Sequence, residues 1–133
     1  GPFGAVIVKD ENILAKVTNR VTANNDPTAH AEINAIRKAT QQLGTFDLSG
    51  CRIYSSCEPC PMCLGAIYWA RLDKIYFANT KADARDIDFD DSFIYEELEK
   101  PIEKREITTQ QILREEAIAA FNQWRAKDDK IEY

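Results

Sequence analysis

Apolar, β-branched residues run through "FGAVIVKD" (3–10) and again through "NILAKVTN" (12–19), with polar residues from Lys9 to Asn12 between them. Two short β-type runs around a polar break predict a hairpin. "TANNDPT" (22–28) is a turn-rich loop, and Pro27 disfavours helix before it. The period then changes. Ala29, Ile33, Ile36, Ala39 and Leu43 form one apolar stripe, which predicts a helix from about Thr28 to Leu43 ended by Gly44. "CRIYSS" (51–56) predicts a strand, "PCPMCLGAIYWAR" (59–71) a helix opened by prolines, and "KIYFAN" (74–79) another strand.

The pattern weakens between Lys81 and Lys104, where charge is dense. "SFIYEELEK" (92–100) reads as a short helix, and "REITTQQIL" (105–113) as a last strand running into a helix. Leu113, Ala117, Phe121 and Trp124 recur at helical spacing and predict a terminal helix over 113–126. Strands alternating with helices point to an α/β fold, a sheet covered on both faces, with the first two strands antiparallel. No internal repeat or linker interrupts the chain, and 133 residues suit a single domain.

Charge narrows the range of partners. The net charge is −5 and no dense Lys/Arg run occurs, which argues against a phosphate-rich polymer. No apolar run approaches the ~20 residues of a membrane-spanning helix, so no membrane partner is expected. The acidic "DARDIDFDD" (83–91) lacks the glycine and ligand spacing of a calcium loop and reads as a solvated acidic segment. The cysteines are Cys51, Cys57, Cys60 and Cys63. In a chain with long helical patterns they suggest free thiols or a metal site rather than a disulfide scaffold, and with them a cytoplasmic protein.

The candidate chemistry lies in two short stretches. Cys60 and Cys63 fall three apart at the start of the proline-opened helix, so both sulfurs face one way. A helix N-terminus favours the thiolate form, and two thiolates on one face suit zinc. "DPTAHAE" (26–32) holds His30, the only histidine, and Glu32. Residues two apart on a helix point ~200° apart, so this pair shares a target only beyond the helix end. If both helix N-termini converge, His30, Cys60 and Cys63 make three ligands. The fourth position is then left for a water made easier to ionise, with Glu32 beside it as the proton carrier. The competing arrangement is a closed structural site or a redox dithiol. Cys57 or Cys51 would complete the closed site, and the protein would then be a zinc-binding interaction module.

"HAE" followed by "PCPMC" matches the H-x-E…P-C-x-x-C signature of zinc deaminases. With "GPFGAVIVKD", "NDPTAHAE", "SCEPCPMCLGAIYWAR", "FDDSFIY" and the closing "EY", the whole chain resembles the bacterial guanine deaminases of the cytidine-deaminase-like superfamily. The resemblance implies a three-layer α/β/α sandwich around a mixed sheet of about five strands. It implies hydrolysis of guanine to xanthine and ammonia with one Zn2+ per subunit, held by His30, Cys60 and Cys63, and Glu32 as proton shuttle. Asn19 resembles the residue that binds the purine edge, and Phe3 an aromatic packed on the base. Ala31, Asp91, Tyr133 and Trp69 are similar to further residues at the substrate pocket. The resemblance also implies a homodimer in which residues 113–133 are exchanged between subunits, and an N-terminal helix that this chain does not include. Alternatives within the superfamily are a deaminase of guanosine or cytidine, or of adenosine in tRNA.

Overall fold

A computed structural model describes residues 1–133. By internal contacts the chain divides into two units, Gly1–Phe93 and Ile94–Tyr133.

The first unit is built on a mixed sheet of four strands in the order β2-β1-β3-β4. Strand β1 (Gly4–Lys9) and β2 (Asn12–Thr18) form the expected antiparallel hairpin. Asp10 and Glu11 make its turn, both at positive φ (46° and 57°), the backbone that matches the twist of a two-residue hairpin. The register slips between Ile7 and Val8, and the hairpin buries the neighbouring Leu14 and Ala15 together. Strand β3 (Cys51–Cys57) pairs antiparallel with β1 and parallel with β4 (Lys74–Asn79). A parallel pair needs a crossover, and α3 (Pro61–Trp69) supplies it.

Helix α2 (Ala31–Leu43) packs against β1, β2, β3 and α3. The core between helix and sheet contains Ala5, Ile7, Ala15, Ala35, Ala39, Leu48 and Ile53, with Ile36 and Leu43 at its margin. The alanines at 31, 35 and 39 repeat every four residues and let the helix axis approach the sheet closely. Ile33 is only half-buried. It stands ~200° around the axis from Ala31, so the buried stripe is centred on alanines that carry little weight in a hydrophobic pattern.

Two predicted boundaries shift. Helix α2 begins at Ala31 rather than Thr28, because Asp26 Oδ1 accepts hydrogen bonds from the Thr28 N–H (2.8 Å) and hydroxyl (2.7 Å) and holds Thr28 in a turn. Part of the predicted loop coils into a short helix, α1 (Val21–Asn24), closed by Asn25 in the left-handed region. Gly44 ends α2 as expected, at φ 66° with its N–H bonded to the Thr40 carbonyl. Pro61 occupies the first turn of α3, where its missing N–H costs no hydrogen bond. The ambiguous acidic stretch starts with α4 (Lys81–Arg85), whose N-cap Thr80 and Asp83 form a reciprocal capping box.

The boundary between the units falls inside α5 (Ser92–Glu99). In the second unit, Glu97 gathers the chain that follows it. Its side chain pairs with Lys100 and accepts the Glu106 N–H (2.9 Å), and its carbonyl accepts from Arg105 Nε (3.1 Å). Helix α6 (Arg114–Ala126) closes the chain and carries its apolar residues on an open face.

The expected fifth strand is absent. Residues 105–113 pair with no strand, Ile107 is 81% exposed, and the sheet has four strands flanked by helices. The β-branched residues that suggested a strand give it no stability without a partner ladder to accept its backbone groups.

Candidate metal centre and active site

Local conformation places the three predicted ligands at two helix starts. His30 is the N-cap of α2, in extended backbone (φ −63°, ψ 156°), and Cys60 is the N-cap of α3 (φ −66°, ψ 168°). Cys63 lies in the first turn of α3. Residues 58–60 carry the chain from the carboxyl end of β3 into α3, the side of an α/β sheet where ligands usually bind. The two helix N-termini therefore meet, as the spacing of the motifs implied.

His30 Nδ1 stands 3.6 Å from Cys60 Sγ and 3.5 Å from Cys63 Sγ, and the three donor atoms all lie within 4.8 Å of one another. Zinc bonds of ~2.3 Å to sulfur and ~2.0–2.1 Å to nitrogen at tetrahedral angles put N and S ligands ~3.5–3.6 Å apart. The donor set fits one Zn2+ per subunit. Cys57 is not part of this group. It ends β3, buried, with its thiol toward the Thr80 carbonyl (3.5 Å), and burial raises its pKa. Cys51 is buried in the core and its thiol is likewise raised by burial.

The Cys60 and Cys63 thiols are unequal in their surroundings. The hydrogen bond from Cys63, with help from His30, lowers Cys60 from 9.0 to about 4. The same contact with Cys60 holds the Cys63 thiol up, with burial and the Glu32 charge adding to it. Cys60 in turn raises His30. The surroundings thus favour a thiolate at Cys60 beside an imidazole that gains from carrying a proton, the electrostatic setting into which a divalent cation fits.

Glu32 is 5% exposed and its carboxylate is held at both oxygens. Oε1 accepts the Ser55 hydroxyl at 2.8 Å, and Oε2 lies 3.4 Å from Cys63 Sγ. Glu32 therefore touches the ligand shell, while the metal-ligand group is made of His30, Cys60 and Cys63.

The other predicted residues are more scattered. Asn19 follows β2, half-buried. Its N–H donates to the Phe3 carbonyl (2.9 Å) and its Oδ1 accepts the Val21 N–H (3.1 Å). Phe3 is half-buried and meets Phe89 edge to face, with ring centroids 5.0 Å apart. Ala31 is buried between His30 and Glu32. Asp91 is half-buried, and its pKa is raised by burial and then by the Cys60 charge, which places it within electrostatic reach of the centre. Trp69 ends α3, nine residues from Cys60, or ~13 Å along the axis, and is not brought to the centre. Tyr133 ends the second unit, 73% exposed.

Two residues with structural work at the site escaped the sequence reading. Asn34 donates through Nδ2 to the carbonyls of Thr18 and Ala29, both at 3.1 Å, tying the end of β2 to the approach of α2. Nothing in its sequence context signals this. Ser55 anchors Glu32, and here a signal exists. Residues 51, 53, 55 and 57 face the core along β3, so a hydroxyl at 55 is a polar group aimed inward.

Comparison with known proteins agrees with this geometry. Residues 1–79 match the family described as the cytidine and deoxycytidylate deaminase zinc-binding region. The chain is 55% identical over 133 residues to guanine deaminase from Bacillus subtilis (strain 168), covering all of this chain and 85% of that protein. The X-ray structure of guanine deaminase from Bacillus subtilis superposes with a TM-score of 0.97 over 100% of this chain and 85% of that one. A guanine deaminase from Nitrosomonas europaea is similar at 35% identity and a TM-score of 0.64, over 68% of this chain and 54% of that one. A tRNA-specific adenosine deaminase from Aquifex aeolicus (strain VF5) is 46% identical over 77 residues, 58% of this chain and 51% of that protein. With a matching donor set, a buried carboxylate beside it and a relative that matches from end to end, the chain belongs to the cytidine and deoxycytidylate deaminase zinc-binding family.

Proposed function

We propose that this protein hydrolyses guanine to xanthine and ammonia. The observation that carries the chemistry is Glu32, buried against a three-ligand centre to which Cys57 does not contribute. The full-length likeness to a guanine deaminase supports the substrate. Zinc held by His30, Cys60 and Cys63 supplies Lewis acidity and eases the ionisation of water. Water adds to the amino-bearing ring carbon. Glu32 accepts the proton that water gives up and hands it to the neighbouring ring nitrogen. Glu32 then carries the proton of the added hydroxyl to the exocyclic amine, which leaves as ammonia while the ring carbon becomes a carbonyl. General acid–base help of this kind contributes ~10²–10⁴-fold.

Asn19 and Phe3 are assigned to the purine edge and face, supported by the Asn19 N–H to Phe3 carbonyl bond that holds them together. Ala31 and Asp91 are assigned to the same pocket. Trp69 and Tyr133 are assigned to it through a second copy of the chain. A homodimer is supported by α3, whose Tyr68 and Trp69 are 76% and 68% exposed on an otherwise apolar helix. Exchange of residues 113–133 between subunits is supported by the uncovered Phe121 and Trp124 of α6. No helix is long and apolar enough to cross a membrane, and four free thiols suit a reducing, cytoplasmic setting.

The test is ammonia release from guanine, guanosine, cytidine, adenine and an adenosine-containing tRNA anticodon stem, each with zinc-loaded protein. Turnover of guanine well above the others is expected. Preferential turnover of the tRNA or of a nucleoside overturns the substrate assignment, and no release from any of them overturns the enzyme.

A further inference from the structure

Glu32 has one oxygen turned toward the metal ligands and one turned away. The oxygen turned away, Oε1, receives the Ser55 hydroxyl at 2.8 Å. Ser55 is itself 6% exposed, on the core-facing side of β3. Its oxygen accepts the backbone N–H of Cys57 at 3.4 Å. A hydroxyl has one proton to give, and accepting from an N–H leaves that proton free to point at the carboxylate. The result is a directed chain from the Cys57 N–H through the Ser55 O–H to Glu32 Oε1, each bond polarising the next. The chain begins on the strand end that leads to Cys60, so the anchor and the ligand share one rigid element.

We infer that Ser55 is a positioning residue for the proton carrier: its hydroxyl pins Glu32 Oε1 to β3 and so presents Oε2 to the reacting centre. This rests on the deaminase reading of the site for its kinetic consequence, but not for the coupling between the two side chains. A proton carrier that serves water, ring nitrogen and amine in turn must keep one oxygen in place through all three transfers. A glutamate with three rotatable bonds and no anchor spends much of its time in other rotamers. Misplacing a reacting group by about 1 Å costs on the order of 10²-fold. Ser55 touches neither metal ligand nor substrate in this role, so its removal is felt in kcat.

Ser55→Thr and Ser55→Val share a shape and differ by the hydroxyl. With zinc-loaded protein, S55V is expected to lose about 10- to 100-fold in kcat relative to S55T. KM should stay within about threefold, and both should keep one zinc per subunit. S55T is expected to recover most of the loss. A kcat for S55V within twofold of S55T overturns the inference, as does a defect confined to KM or a loss of zinc. A second measurement does not depend on turnover. In metal-free protein, Ser55→Ala should lower the melting temperature when Glu32 is present, and should leave it unchanged or raise it in an E32A background. An equal loss in both backgrounds overturns the inference. Wild-type protein inactive on guanine would sink the proposed function and leave this coupling test standing, so the two failures are distinguishable.

Discussion

Removing the metal should turn Cys60 into a nucleophile of unusual pH dependence. Its thiol falls from 9.0 to about 4, chiefly through the hydrogen bond from Cys63 and then the contact with His30. An ordinary thiol of pKa 9.0 is ~0.1% thiolate at pH 6, whereas one of about 4 is ~99% thiolate, a ~1,000-fold advantage in the reactive form. Nucleophilicity falls with basicity, with a slope of about 0.4–0.5, which removes ~100–300-fold over this range. Half-buried Cys60 should therefore react with iodoacetamide ~3–10 times faster than an ordinary cysteine at pH 6. At pH 8 the ionisation advantage shrinks to ~10-fold, and Cys60 becomes slower than an ordinary cysteine. The informative signature is the slope: the Cys60 rate stays nearly flat between pH 6 and 8, while an ordinary thiol speeds up ~10-fold for each step of one pH. Cys51 and Cys57, buried and raised, should lag throughout. Peptide mass spectrometry after timed quenching of chelator-treated protein reads each site, and added zinc should protect Cys60. A Cys60 rate that climbs tenfold per pH step, or Cys57 modified first, would refute the electrostatic account of the centre.

Other outcomes follow from the same contacts. Glu32→Gln should retain one zinc per subunit and lose at least ~10²-fold in turnover, checked by metal analysis beside ammonia release; near-wild-type activity would remove Glu32 from the mechanism. Cys57→Ala should leave zinc content unchanged, whereas Cys60→Ala and Cys63→Ala should abolish tight binding. Zinc lost on changing Cys57 would favour a closed structural site. Asn34→Leu removes two hydrogen bonds between α2 and its approach chain, to the Thr18 and Ala29 carbonyls, of which Ala29 keeps the Arg20 N–H. A loss of about 1–3 kcal/mol in denaturant unfolding is expected; an unchanged midpoint would show that Asn34 is not the staple.

Much of the site was legible because its chemistry is carried by residue types with few other uses. A lone histidine, a carboxylate two positions on and a proline-flanked cysteine pair left an open catalytic site and a closed structural one in competition, and the donor atoms meet without Cys57 or Cys51, as the open arrangement requires. Gly44 and Pro61 also act locally, through backbone angles that neighbouring residues cannot change. The misses share a different cause. The strand expected over 105–113 has suitable residues, but a strand exists only with a partner. Ile33 belongs to the predicted stripe but is only half-buried, while Ala31 and Ala35, outside that stripe, join the predicted Ala39 in the close contact because they are small.

What the sequence alone determined, then, is the set of reactive groups and part of the local backbone that presents them: which atoms can bind zinc, which two helices carry them near their starts, and the Gly44 and Pro61 signals that close one helix and open the other. Only the tertiary structure decided how far apart those groups stand, that Cys57 turns to the Thr80 carbonyl instead of the metal, and that Ser55 reaches across 23 residues of chain to hold Glu32. The physical reason is range. Propensity, capping and helix-end fields act over a turn or two of chain, whereas ligand distances and second partners depend on how β3 and α2 pack, and that is settled by the core they share.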